Sequence, residues 1–274
     1  MADMYTSEFV EEGGEDLKDA ILAYINLDTA VAGNKFEAAG SPAMQSAMAD
    51  VLGRVKDPFT NAPLNSTWIG KEMPGLGAGS DYVAFQHHAG ISSIDLAFSG
   101  KGFPYHSCYD NFEWMKNLGD PTFGYHEALA KVLIFLALDL ADTAIIPFNM
   151  TEYANALDTY YADLKKWVQD KLDESSVKGK GKLDLKPLEN ALAATHAHIN
   201  VFDGMKDDWL EKDSDGIYIL GDEWSVAQRR SRSIRMGNFD KHLLDVTEGG
   251  GVPGREWFKH MIMSPQVCTL LSPA

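Results

Sequence analysis

Two side chains in the sequence are of types and in positions that suit metal chemistry. Asp28 follows an apolar run, residues 22–27, that is predicted as a strand, and the carboxyl edge of an α/β sheet is where metal-binding carboxylates are readily placed. His106 follows Tyr105 in an irregular segment, and imidazole is a common zinc ligand. A strand-end aspartate is more often a turn residue and a lone histidine more often structural, so neither identifies a site alone.

Other familiar arrangements of chemical groups are absent from the sequence. The glycine-rich residues 75–81 (GLGAGSD) follow a proline-rich loop and lack the lysine of a phosphate-binding loop, which argues against nucleotide binding. His87 and His88 are adjacent, and His196 and His198 are two residues apart. At these spacings the two side chains of each pair point in different directions on a helix, so neither pair can bind one metal ion. Serine-elbow, His-Glu-x-x-His and Cys-x-x-Cys motifs do not occur.

The composition excludes several classes of protein. The chain has 274 residues, 45% of them hydrophobic, which suffices for a sizeable core in one large or two small domains. With 40 acidic and 24 basic side chains, the net charge of −16 has the wrong sign for binding nucleic acid or an anionic membrane. Two cysteines exclude a disulfide framework, and the longest apolar run, residues 132–138, is too short to span a membrane.

Hydrophobic periodicity predicts alternating helices and strands in the first part of the chain. The predicted order is helix 11–21, strand 22–27, helix 42–54, loop 56–79, short helix 80–88, strand 90–98 and helix 121–141. Ser41 is expected to cap the second helix, with Pro42 at its first position, and Ser80 to cap the short one. This alternation is typical of an α/β domain.

Beyond a boundary predicted near Pro147, the chain is polar and helically periodic. The predicted helices there are residues 151–172, 185–210 and 222–236. They suit an antiparallel helical bundle. The sequence therefore predicts an α/β domain over residues 1–147 and an all-α helical bundle over residues 148–274.

Several short segments follow one another in an order that is typical of one family. They are residues 23–28 (AYINLD), 33–34 (GN), 76–85 (LGAGSDYVAF), 90–91 (GI), 105–110 (YHSCYD), 120–121 (DP), 125–126 (YH), 140–142 (LAD) and 146–148 (IPF). Together they resemble the glutamate carboxypeptidase and transferrin receptor branch of the di-zinc exopeptidases. The later region, up to residues 255–260 (REWFKH), resembles the family's transferrin receptor-like dimerisation domain. The resemblance implies that residues 1–147 are the C-terminal part of a zinc peptidase domain with a partial sheet, and that residues 148–274 are the dimerisation domain without its last helix.

This resemblance assigns catalytic and metal-binding roles to three residues. The complete enzyme of this family holds two zinc ions. Asp28 matches the terminal carboxylate ligand of one zinc ion, and His106 matches the terminal histidine ligand of the other. Tyr105 matches the tyrosine that donates a hydrogen bond to the tetrahedral intermediate, a role suited to a phenol beside a polarised carbonyl.

Further residues match parts of the family's substrate cleft and its calcium site. Gly79 and Ser80 match a substrate-binding loop, and Asp81 matches a carboxylate that supports the zinc site without touching the metal. Glu8 and Glu11 resemble an acidic pair that binds a structural calcium ion, for which oxygen ligands are suited. The alternative for these two glutamates is a solvated helix start.

Parts of the family pattern are missing from the sequence. The remaining zinc ligands and the general-base glutamate lie upstream in the family, and residues 1–4 (MADM) offer no equivalent. Two ligands cannot hold two zinc ions that each need about four. Residues 268–274 (CTLLSPA) lack the Lys-Tyr pair that recognises a terminal glutamate, and Asp95 and Ala97 stand where the family presents arginines to acidic substrates. A preference for acidic residues is therefore not expected.

Three functions are compatible with these observations. The leading interpretation is a C-terminal fragment of a zinc-dependent exopeptidase that hydrolyses C-terminal residues from peptides, inactive as this isolated chain. The alternative is a non-enzymatic receptor or adaptor of the transferrin receptor type, although the presence of both Asp28 and His106 favours a peptidase parent. The third is a module that dimerises through its helices. The resemblance implies a homodimer and a parent protein in the secretory pathway, the vacuole or the cell surface.

Overall fold

The computed structural model describes residues 2–68, 73–174, 183–214 and 223–264. Its sheet contains β1 (Tyr24–Asn26), β2 (Lys35–Gly40) and β3 (Ser93–Ser99), in the order β1-β3-β2. Strand β1 is parallel to β3, and β2 is antiparallel to it. The chain is mixed α/β with a small sheet and a helical later region, which confirms the predicted fold class.

Eight α-helical segments occur among the described residues. They are α1 (Ala2–Ala20), α2 (Gln45–Arg54), α3 (Asn65–Trp68), α4 (Phe112–Trp114), α5 (Gly124–Asp142), α6 (Met150–Glu174), α7 (Lys186–Ser214) and α8 (Glu223–Gly237). Each longer predicted helix has a counterpart, but α1 begins well before residue 11, because buried Val10 extends its apolar face. The predicted short helix at residues 80–88 is a π-helical turn, Ala84–His88.

The residues of β3 alternate between two environments, as expected for a strand in a half-covered sheet. Ile94, Leu96 and Phe98 are completely buried, whereas Asp95 and Ala97 are only partly buried. The buried side faces α5, because the ring of Phe98 meets that of Tyr125 on α5 edge to face, with 5.1 Å between centroids. The partly buried side therefore presents the polar groups of the sheet.

Helix α1 packs against the π-helical turn and β1. Val10 belongs to a buried apolar cluster with Phe85 and Ile91, and the ring of Tyr24 stacks on that of Phe85 with 3.9 Å between centroids. The helix is kinked at Gly14, whose φ of 48° is accessible to glycine at little cost. The start of the chain is thus attached to the segment that precedes β3.

Two serines predicted as helix caps make different contacts. Ser41 does precede a 3₁₀ turn, Pro42–Met44, but its hydroxyl donates to Oδ2 of Asp240 at 2.9 Å, and its oxygen accepts no hydrogen bond from the N–H groups of the turn. The hydroxyl oxygen of Ser80 accepts a hydrogen bond from the Asn26 amide at 3.0 Å. The cap predictions were wrong because distant polar partners, one of them charged, compete with the local backbone N–H groups.

The chain divides into two compact units. Residues up to Phe148 form the first unit together with the described residues from Arg229 onward, and Asn149–Gln228 form the second. In the second unit α6 and α7 are antiparallel: Thr151 donates to Asp203 at 2.5 Å, and His196 lies 2.9 Å from Asp158. The first break lies between Phe148 and Asn149, and the domain boundary near Pro147 stays a prediction. The extent of a dimerisation domain over residues 148–274 stays a prediction.

Candidate active site

A hydrogen-bonded amide lies at the carboxyl end of β1, beside the first half of β3. Asn26 lies opposite Asp95 in the parallel register, and its Nδ2 donates to Oδ1 of Asp95 at 2.8 Å. The same nitrogen donates to the Oγ of Ser80 at 3.0 Å, and the Oδ1 of Asn26 accepts from the hydroxyl of Tyr24 at 3.1 Å. The buried amide therefore connects both strands to the loop that carries Ser80.

Three carboxylates share the electrostatic environment of this region. Burial raises the pKa of Asp95; the Asn26 hydrogen bond counteracts the rise, and the negative charge of Asp28 adds to it. Burial also raises the pKa of Tyr24, with further contributions from Asp81 and Asp95. Asp28, Asp81 and Asp95 thus act on the same small region around the carboxyl end of β1.

Tyr105 and His106 lie in an exposed turn before α4. Both side chains are exposed, and their rings stack with 3.9 Å between centroids and 17° between planes. The backbone of His106 has a φ of 53°, which is uncommon for a residue with a side chain and is often found at functional turns. No hydrogen bond or ion pair among the described residues joins His106 to Asp28, and their roles as zinc ligands stay predictions.

The predicted substrate loop borders a cavity of about 250 Å³. Gly79 has a φ of 120°, which favours glycine, and Ser80 and Asp81 follow it along the cavity wall. Trp257 and Phe258 also line this cavity, although their motif predicted only the dimerisation domain. The local sequence gives no signal for this proximity, because the two segments are far apart along the chain.

The predicted calcium ligands lie on the outer part of α1. Glu8 and Glu11 are both exposed and, being three residues apart on a helix, lie on one face. Oε1 of Glu11 accepts a hydrogen bond from the indole Nε1 of Trp257 at 2.5 Å. One carboxylate oxygen of the predicted calcium pair is therefore engaged by the protein itself.

The donor groups of the described residues do not fit a complete zinc centre. A catalytic zinc ion has three protein ligands. In the ranges that the structure describes, no three His, Cys, Asp or Glu side chains come close enough to hold a metal ion. Asp28 and His106 are chemically suited as single ligands, and the Oδ1 of Asp81 is buried without a hydrogen-bond partner among the described groups. Asp28 and His106 are candidate single ligands, and together with Asp81 they do not form a complete metal site among the described residues.

Comparison with known families agrees with the architecture described above. Residues 4–130 match peptidase family M28, and residues 183–271 match the transferrin receptor-like dimerisation domain. The chain therefore belongs to peptidase family M28 and carries the transferrin receptor-like dimerisation domain. Members of this family are generally zinc-dependent peptidases. None of the described helices is both long and apolar enough to cross a membrane.

The chain is also similar to individual proteins of plants and fungi. It is 34% identical to the probable glutamate carboxypeptidase LAMP1 of Arabidopsis thaliana and 31% identical to the probable glutamate carboxypeptidase AMP1 of the same plant, in each case over 95% of the chain. An inactive zinc metalloprotease of Schizosaccharomyces pombe is 23% identical over 96% of the chain. The chain spans about 35% of the length of the two plant relatives and 31% of the yeast one.

Proposed function

We propose that this chain is the C-terminal part of a zinc-dependent exopeptidase that releases C-terminal residues from peptides. The observation that supports this best is the group of three carboxylates, Asp28, Asp81 and Asp95, around the carboxyl end of β1, beside the cavity of the Gly79–Asp81 loop. In α/β proteins the carboxyl ends of the strands are where substrates and metals bind. The similarity to glutamate carboxypeptidase-like members of the family points to the same class of reaction.

The proposal assigns a role to each predicted site residue. Asp28 and His106 each contribute one ligand, to different zinc ions, and the metal supplies a polarised carbonyl and an activated water when it is bound. Tyr105, whose side chain is exposed, donates a hydrogen bond from its phenolic O–H to the developing oxyanion of the substrate.

The loop residues bind the substrate and support the metal site. Gly79 and Ser80 line the cleft, and Asp81, whose Oδ1 is buried without a partner among the described groups, would support a zinc ligand once the metal is bound. Calcium at Glu8 and Glu11 stays a prediction, and any such ion would compete with Trp257 for one Glu11 oxygen.

We infer that the isolated chain does not hydrolyse peptides. Asp28 and His106 leave each zinc ion short of the ligands that a catalytic site needs. The test is to incubate the 274-residue chain with zinc and short peptides, and to measure bound zinc together with chelator-sensitive release of C-terminal residues. Weak zinc binding that decreases in Asp28→Asn and His106→Gln, without release, is expected.

Two controls make this result specific. Asp16→Asn and His242→Gln change exposed residues of the same types away from the site and are expected to leave zinc binding unchanged. Zinc binding that is identical in all four variants would contradict the ligand assignment. Release of C-terminal residues by the chain itself would contradict the inferred inactivity but would still agree with the proposed peptidase reaction.

The second candidate function is dimerisation without catalysis. The similarity to an inactive zinc metalloprotease and the matched dimerisation domain favour it. The second unit also exposes neighbouring apolar side chains on α7, with Val201 exposed by 60% and Met205, one turn further along the helix, by 52%. Exposed apolar surface of this kind is typical of a protein interface.

A homodimer through these helices can be tested by sedimentation equilibrium. Val201→Asp is expected to weaken association by about tenfold or more, because a charge would be buried in the interface. Asn200→Asp adds the same charge at the neighbouring exposed position and is the matched control. A monomer at all concentrations, or equal effects of both variants, would contradict dimerisation through this face.

A further inference from the structure

A cavity of about 270 Å³ opens on the side of the sheet that carries Asp95. Its floor consists of residues of β2 and β3, and Trp68 and Pro74 line its sides. The backbone N–H of Gly40 at the end of β2 donates to the carbonyl of Pro74 at 2.8 Å, which holds this side in place. The cavity is thus built from hydrogen-bonded backbone and not from a loose loop alone.

The strand register places two acidic and two small residues on the cavity floor. Ala39 pairs with Asp95, and Glu37 pairs with Ala97. Directly paired residues point to the same side of a sheet, so Glu37 and Asp95 lie on the same side. They are diagonal neighbours on β2 and β3, with Cβ atoms roughly 7 Å apart. The alanines on the other diagonal leave the space between the carboxylates unfilled.

Neither carboxylate is neutralised within the part of the chain that the structure describes. Glu37 is exposed and forms no ion pair there, and the side-chain partner of Asp95 is the uncharged Asn26 amide. Burial raises the pKa of Asp95, so its negative charge is held at a free-energy cost that a cation would relieve. The ring of Trp68 supplies an aromatic wall of the kind that favours alkyl-ammonium and guanidinium groups.

We propose that this cavity binds the positively charged side chain of a lysine or arginine residue in a peptide. The proposal rests on the proposed peptidase function for the peptide nature of the ligand. Asp95 and Ser80, which line the two cavities, accept hydrogen bonds from the same Asn26 nitrogen, so the cavity lies next to the candidate active site. The spacing of the carboxylates and the apolar wall suit a long side chain with a charged end.

The test measures binding on the 274-residue chain without metal, so that it does not depend on hydrolysis. The tripeptides Ala-Lys-Ala, Ala-Arg-Ala, Ala-Gln-Ala and Ala-Glu-Ala are titrated by calorimetry at 0.15 M salt. The two basic peptides are expected to bind about tenfold more tightly than Ala-Gln-Ala, and Ala-Glu-Ala is expected to bind most weakly.

Charge-reversal variants distinguish the cavity from the general attraction of an acidic protein. Glu37→Lys is expected to abolish the preference for basic peptides, whereas Glu248→Lys changes the net charge equally at an exposed position elsewhere and should retain it. Glu37 is exposed, so this variant is expected to unfold at the same temperature as the unmodified chain. Asp95→Asn removes the other negative charge of the cavity and is expected, independently of Glu37, to reduce the preference for basic peptides.

The outcomes separate this proposal from the proposed peptidase function. Equal affinity for the lysine and glutamine peptides, or a preference that Glu37→Lys leaves unchanged, would overturn the cationic site. A preference that Glu37→Lys abolishes supports the site, even if the zinc and hydrolysis experiments fail, because the binding measurement involves neither zinc nor peptide cleavage.

Discussion

The indole Nε1 of Trp257 donates a hydrogen bond to Oε1 of Glu11 across 246 positions of the chain. The Trp257 ring also stacks on His88, with 4.7 Å between centroids. Through these contacts the C-terminal segment of the first unit covers both α1 and the π-helical turn. Trp257 therefore stabilises the wall of the cavity beside Ser80 as well as lining it.

Replacing Trp257 by Phe is expected to lower the free energy of unfolding by about 0.5–1.5 kcal/mol from the lost hydrogen bond, plus a packing contribution from the smaller ring. Glu11→Gln keeps an oxygen acceptor at the same position and should cost less. Urea denaturation of the two variants and of the double variant measures the coupling. Additive losses in the double variant would show that the two groups do not interact.

The buried carboxylate of Asp240 is predicted to be a major determinant of stability. Its Oδ2 accepts hydrogen bonds from Ser92 at 2.5 Å and Ser41 at 2.9 Å. Asp240→Ala leaves two buried hydroxyls without this acceptor, at a cost of about 1–3 kcal/mol for each unsatisfied group. Chemical denaturation measures the loss, and Asp16→Ala, at an exposed position of α1, is the control. Similar stabilities of the two variants would refute this role.

His87 is expected to make stability depend on pH. Burial lowers its pKa below the usual 6.5, although hydrogen bonds to the carbonyls of Met263 and Gly77 offset part of this shift. The unfolded chain then binds the proton more readily than the folded one, so stability is present above about pH 6.5 and decreases as the pH falls below it.

Denaturation of the chain between pH 7.5 and 5 tests this prediction. The unmodified chain should lose stability with falling pH, by up to about 1.4 kcal/mol per pH unit from this residue. His87→Gln should show a shallower slope, whereas His242→Gln, at an exposed position, should retain the steep one. Identical slopes in all three proteins would exclude His87 as the titrating group.

Two glycines with positive φ are predicted to respond very differently to alanine. Gly90 has a φ of 66°, and a Cβ there would lie 2.7 Å from Cα of Lys241, whereas Gly102, with a φ of 94°, has nothing within 4 Å of such an atom. Gly102→Ala is expected to cost about 1 kcal/mol of backbone strain. Gly90→Ala should cost about 2–4 kcal/mol, because backbone must also move. Equal thermal stabilities would contradict this difference.

The sequence by itself determined the longer helices, the strands β1 and β3 and the position of Asp28 after β1, whereas β2 and the short helix α3, inside the predicted loop 56–79, were not predicted. Apolar periodicity specifies these features locally: Val132 and Leu136 recur at helical spacing and are fully buried in α5. The family resemblance, based on short motifs, is confirmed by the matched domains. The roles of Tyr105, His106 and the substrate loop stay predictions.

Only the tertiary structure decided which distant groups meet. No local pattern could assign the Ser41 hydroxyl to an aspartate 199 positions away, or place Trp257 beside the Gly79–Asp81 loop. A hydrogen bond or cavity wall of this kind depends on how separate segments pack, whereas secondary structure depends largely on neighbours within a few residues. The shared cluster of Asp28, Asp81 and Asp95 and the acidic cavity at Glu37 were therefore visible only once the strands were paired.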